Sequence, residues 1–129
     1  MSAVVVDTSV WVDFFRGATA PRLEEALAQR VVVLPPIVVA ELASGARRPR
    51  ERAALIDLLR DLAIHDTPLE HWLRVGALRR NLAQRGIAVS TPDAHVAQCA
   101  LELDAVLLSR DAVFSRIARA LPLRVLPAA

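Results

Sequence analysis

Ala3-Val4-Val5-Val6-Asp7-Thr8-Ser9-Val10-Trp11-Val12-Asp13-Phe14-Phe15 is the stretch on which the reading of the fold turns. Ala3 to Val6 is small or β-branched at every position, so both faces of an extended segment are apolar, as in a strand covered on both sides. Asp7 ends that run, and Thr8 and Ser9 open a short helix through Phe15. A buried strand that delivers a carboxylate at its end and passes into a helix belongs to a parallel α/β sheet, where ligands sit beyond the carboxyl ends of the strands.

The alternation continues along the chain. A helix is predicted at about Pro21 to Ala28, a second apolar strand at Val31 to Leu34, and a helix over Ile37 to Gly45 that starts at Pro35 and Pro36. Arg47 to Arg50 is read as a linker, followed by an amphipathic helix near Glu51 to Leu62 with Leu55, Leu58, Leu59 and Leu62 on one face. Ala63 to His65 is a short strand and Leu69 to Gln84 a helix stopped by Gly86. Thr91-Pro92-Asp93 starts another helix, which runs to about Leu103. Ala105 to Leu108, Asp111 to Ala120 and Leu123 to Leu126 complete the series as strand, helix and strand. The expectation is a three-layer α/β/α sandwich around a central, mostly parallel sheet, one domain over residues 1–129.

Bulk properties agree with a folded domain. Over 129 residues the chain is 54% hydrophobic and 23% charged, and with aromatics at 4% the core must be aliphatic. No apolar run reaches the roughly 18 residues of a membrane span, and Met1 to Asp7 carries no basic leader, so a cytoplasmic protein without membrane contact is expected. The single Cys99, flanked by apolar residues, has no intramolecular disulfide partner and is expected to be a packed core side chain. The net charge is only +2, but all 16 basic residues are arginines, whose forked guanidinium suits phosphates and carboxylates.

Four acids stand where a strand end or helix face would aim them at one place: Asp7, Glu41, Asp93 and Asp111. Each also has a plainer reading. Asp7 and Asp111 could cap the helices they precede, Glu41 could be the solvated edge of an apolar helix, and Asp93 could simply favour the positive end of its helix dipole. Together they are more informative, because carboxylates crowded beside a central strand repel one another unless a cation intervenes. Oxygen donors suit Mg²⁺ or Mn²⁺, which can hold a phosphodiester, activate water and stabilise both oxygens of an in-line displacement.

At this point the chain resembles the VapC-type PIN-domain toxins along essentially its whole length. The resemblance is carried by VVVDTSVWVDFF, by PPIVVAELASG, by STPDAHVAQCALELDAVLLSRDAVFSRIA and by the terminal LRVLP. It implies an Mg²⁺- or Mn²⁺-dependent endoribonuclease in which Asp7, Glu41, Asp93 and Asp111 form the acidic metal site, Asp7 and Asp93 foremost, with Thr8 or Ser9 orienting Asp7 through a hydrogen bond. It further implies structured RNA such as tRNA or ribosomal RNA as substrate, a homodimer, and silencing by a cognate VapB-type antitoxin. One departure stands out: many such proteins carry a second acid two residues beyond Asp111, where this chain has Val113.

Arg16, Arg47, Arg48, Arg50, Arg79, Arg80 and Arg85 are candidates for phosphate contacts, against a solvated surface or antitoxin contacts. Trp11, Phe14, Phe15 and Trp72 are expected to pack rather than stack on bases. His65, His71 and His95 share no ligand spacing; none is assigned to a metal, and exposure is expected for His95. A receiver or haloacid-dehalogenase-like phosphotransferase also places an aspartate after its first strand. Both want a lysine that this chain lacks, and the latter wants an acid where Ser9 stands. A non-catalytic RNA-binding or assembly module on the same fold is the remaining alternative.

Overall fold

The computed structural model describes residues 2–128. Its elements are β1 (Val4–Val6), α1 (Thr8–Phe15), α2 (Pro21–Ala28), β2 (Val33–Leu34), α3 (Pro36–Gly45), α4 (Pro49–Arg60), β3 (Ala63–Ile64), α5 (Leu69–Gln84), α6 (Thr91–Leu103), β4 (Val106–Leu108), α7 (Ala112–Ala120) and β5 (Arg124–Leu126). All strand pairings are parallel. β1, β4 and β5 form one ladder and β2 and β3 another. A Val4–Val32 bridge and the Val4 N–H to Val31 carbonyl bond at 2.9 Å join them into the order β3-β2-β1-β4-β5.

The three-layer arrangement follows from the strands themselves. Successive residues of a strand point to opposite faces, and Val5 with Val6, like Leu107 with Leu108, are all buried, so both faces of β1 and β4 are covered by helices. α6 packs on β1 and β4 and is itself covered by α5, α3 and α7. Trp11, Leu34, Phe114 and Ile117 close the core. Each large apolar side chain buried in this way contributes roughly 1.5–3 kcal/mol.

The helix boundaries have local causes. Asp7 accepts from Thr8 N–H at the head of α1, and Ser90 accepts from Asp93 N–H at the head of α6, caps each worth about 1 kcal/mol. Gly86 ends α5 at φ 80°, a left-handed conformation that costs glycine little. Several boundaries shift by one or two residues from expectation: β2 begins at Val33, β3 ends at Ile64 and α4 spans Pro49–Arg60. The arginine-rich segment is not wholly linker, because Pro49 takes the first position of α4, where its missing N–H is no loss and its fixed φ suits the helix.

The order of the strands places the site. From β1 the chain moves outward through β2 and β3, then returns to the other side of β1 as β4 and β5. The crevice beyond the carboxyl ends of β1 and β4 is therefore the topological switch point, where open α/β sheets bind ligands. Among the described residues, no helix is long and apolar enough to cross a membrane.

Candidate metal centre at the switch point

Asp7 leaves the end of β1 and is 8% exposed. Its Oδ1 accepts from Thr8 N–H at 2.9 Å, and its Oδ2 accepts from the hydroxyls of Ser9 at 2.9 Å and Ser109 at 3.1 Å. Both neighbours singled out in the sequence thus hydrogen-bond to Asp7, Thr8 through its backbone and Ser9 through its side chain. The Thr8 hydroxyl turns the other way and donates to Glu41 Oε1 at 2.8 Å, tying α1 to α3. Glu41 is exposed, so its charge escapes the desolvation cost that full burial would impose.

Ser109, at the end of β4, is buried and joins the two strand-end acids. It donates to Asp7 and accepts from Asp111 N–H at 3.0 Å. Asp111 is exposed and caps α7, accepting from Val113 N–H at 3.0 Å through Oδ1. Glu41, Thr8, Asp7, Ser109 and Asp111 therefore form one hydrogen-bonded series across the mouth of the crevice. The helix-cap reading of Asp7 and Asp111 is correct as far as it goes. For Asp111 it occupies Oδ1, and for Asp7 it accounts for Oδ1 while Oδ2 is held by Ser9 and Ser109.

Asp93 completes the group from the first turn of α6. Burial pushes its carboxyl up from the ordinary carboxylate value; the Ser90 hydroxyl opposes this, and the charges of Asp7, Asp111 and Glu41 push it further up. Asp7, Asp111 and Glu41 are thus near enough for their charges to act on Asp93, and a cation among them would relieve that repulsion. A hard divalent ion matches this donor set. Val113, two residues beyond Asp111, is buried in the first turn of α7, and Asp111 is left as the acid of that segment.

Sequence reasoning missed two features. Ser109 was passed over, although its place directly after a buried strand was a usable signal. The expected exposure of His95 is wrong: His95 is 0% exposed and His71 1%. The reason is that α6 is covered on every side, so no face from Ala94 to Ala100 reaches solvent. Cys99 is buried, as its flanks suggest. Trp11 is buried too, but Phe15 and Trp72 keep part of their rings in solvent.

The PIN-domain family model matches residues 4–120, and the chain belongs to the PIN-domain family. Solved structures share the fold at low identity. A chain of VapBC2 from Rickettsia felis, bound to a DNA fragment from their promoter, superposes with a TM-score of 0.79 at 23% identity, covering 98% of this chain and 99% of that one. A chain of DNA-bound VapBC from Salmonella typhimurium gives 0.79 at 19% identity, with 100% of both chains covered. A chain of a toxin-antitoxin complex from Klebsiella pneumoniae gives 0.76 at 19%, covering 98% of each. No curated protein matches the sequence.

Proposed function

We propose that this protein is the toxin of a type II toxin-antitoxin pair, a VapC-type endoribonuclease that hydrolyses RNA phosphodiesters with Mg²⁺ or Mn²⁺ at Asp7, Glu41, Asp93 and Asp111. The observation that carries the reading is the convergence of these acids at the switch point of the sheet, three of them linked through Thr8 and Ser109. Membership of the PIN-domain family and the likeness to chains of VapBC complexes support it.

The chain's own residues have distinct tasks. Asp7 and Asp93 are the principal ligands, Asp7 because three donors fix its orientation and Asp93 because a nearby cation relieves its repulsion. Glu41 and Asp111, both exposed, border the crevice where a substrate phosphate and a water approach. The chemistry that bound Mg²⁺ or Mn²⁺ supplies is activation of water and neutralisation of charge on the phosphodiester. Surface arginines such as Arg80 and Arg85 contribute attraction for the RNA backbone.

The antitoxin reading has its own support. A groove of about 450 Å³ runs between α1, α3 and α4, floored by Val12, Leu42 and Leu55, with Phe15 at its side and Glu41 at its edge. An amphipathic helix laid in that groove would place an arginine within reach of Glu41 and the acidic crevice, excluding the metal. Leu69 and Leu73, one turn apart on α5 and 68% and 63% exposed, offer an apolar face for a second copy. The protein is proposed to act in the cytoplasm as one PIN domain.

The test is cleavage of total cellular RNA by wild-type and Asp93→Asn protein with Mg²⁺ or Mn²⁺ and with chelator, read by mapping new 5′ ends. Discrete ends that need metal and vanish in the variant support the nuclease. Cleavage that persists in excess chelator overturns it. RNA binding without cleavage by either protein, freed of antitoxin, favours the non-catalytic module.

A further inference from the structure

All three histidines of the chain and its only cysteine meet at one place, where α6 faces α5 and the end of β3. His65 follows β3, His71 lies in the first turn of α5, and His95, Cys99 and Glu102 lie on α6. His65, His71 and Cys99 each present a ligand atom, all within 4.8 Å of one another. Glu102 Oε1 stands 2.8 Å from both His65 Nε2 and His71 Nδ1.

We propose that this cluster is a second metal site, separate from the acidic crevice, that takes a borderline transition cation such as Zn²⁺ through His65, His71, Cys99 and Glu102. Imidazole and thiolate donors select Zn²⁺ over the hard ions suited to the carboxylates. Tetrahedral Zn²⁺, with bonds of about 2.0 Å to nitrogen and about 2.3 Å to sulfur, holds such ligand atoms roughly 3.3–3.5 Å apart, so His65, His71 and Cys99 close by at most about 1.5 Å. His65 and Glu102 reach solvent and form the entry, while His71 and Cys99 form the floor.

The surroundings have the hydrogen bonds that metal ligands need. Glu102 Oε2 is occupied by Gln98 at 3.1 Å and Arg74 at 3.3 Å, which leaves Oε1 for the ion. His71 Nε2 contacts His95 Nδ1 at 2.7 Å, the outer partner that orients a ligating imidazole. In the metal-free protein Ile37 N–H can only donate to His95 Nε2, at 3.5 Å, so the ring proton of His95 stands on Nδ1 and passes toward His71. Burial, with the charge of Glu102, pushes the free Cys99 thiol up to about 12, so binding near neutral pH releases one proton per ion.

The experiment is a titration of the metal-stripped full chain with Co²⁺, followed by displacement with Zn²⁺. The expected result is saturation at one equivalent of a thiolate-to-cobalt charge-transfer band with tetrahedral ligand-field bands, retained in the Asp7→Asn/Asp93→Asn double variant. Cys99→Ser removes the charge-transfer band. His65→Ala, at a partly exposed position where misfolding is least a concern, weakens binding at least tenfold. Calorimetry in buffers of different ionisation enthalpy counts the released proton. No charge-transfer band in the wild type, or bands that survive Cys99→Ser and vanish in the aspartate double variant, would overturn the proposal and leave the cluster as a hydrogen-bonded packing network.

Discussion

The Ser109 hydroxyl donates to Asp7 Oδ2 at 3.1 Å across 102 residues of sequence, and through that bond the ends of two neighbouring parallel strands share one carboxylate. The same oxygen accepts from Asp111 N–H, so its removal loosens both strand-end acids. Ser109→Ala is expected to cost about 1 kcal/mol of stability. It is also expected to lower metal-dependent cleavage about tenfold, the lower end of what loss of a ligand-orienting group costs. Denaturant melts and single-turnover cleavage check the two effects separately.

Asp93 gives a prediction of opposite sign for stability and activity. Its carboxyl is raised by burial and by three like charges, so in chelator Asp93→Asn relieves repulsion and is expected to stabilise the fold by about 0.5 kcal/mol, the scale of partly exposed charge interactions. Metal-dependent cleavage is expected to disappear in the same variant. Mn²⁺ should raise the melting temperature of the wild type and have much less effect on Asp93→Asn. An Asp93→Asn protein that melts well below wild type in chelator would contradict the repulsion argument.

His95 predicts a pH dependence. Burial, with like charge from His71 and His65, holds its ring down at about 4 against an ordinary value near 6.5, despite the opposing pull of Glu102. Between those values the unfolded chain binds a proton that the folded chain refuses, so stability falls as pH drops through that window, by up to about 1.4 kcal/mol per pH unit. Glu102 acts lower. Burial alone would push its carboxyl up, but hydrogen bonds from His65, His71 and Gln98 outweigh this and hold it at about 2, so its contribution is lost only as pH falls from the ordinary carboxylate range toward that value. Urea melts of metal-free protein between pH 7 and 4 should show the first slope, and His95→Gln should flatten it.

The groove beside Glu41 separates inhibition from catalysis. Ala54 lines it and is exposed, so Ala54→Glu fills apolar space with charge and leaves the four acids untouched. Such a variant is expected to keep full cleavage and to need at least tenfold more of a candidate antitoxin for inhibition. Inhibition curves that coincide with wild type would move the antitoxin to another surface.

Much of this was legible in the chain because it is local. The all-apolar run before Asp7 specifies a strand covered on both faces, since residues pointing to opposite sides are equally hydrophobic. Thr91-Pro92-Asp93 after Ser90 specifies a helix start, since a cap and a proline act within one turn. Asp7, Glu41, Asp93 and Asp111 were picked out by their places at strand ends and on apolar helix faces, which spacing reveals. The place of β1 between β2 and β4, and hence the switch point, was not local. It arises from pairings between residues far apart in sequence, which periodicity does not encode. The same holds for Ser109 bridging Asp7 to Asp111, and for His65, His71, His95 and Cys99, which lack any common spacing and meet only because α5 packs on α6 and covers a helix whose sequence alone suggested an open side. Element identity followed from short-range backbone and side-chain preferences, whereas convergence of side chains depended on burial that exists only once the sheet and its helices have packed.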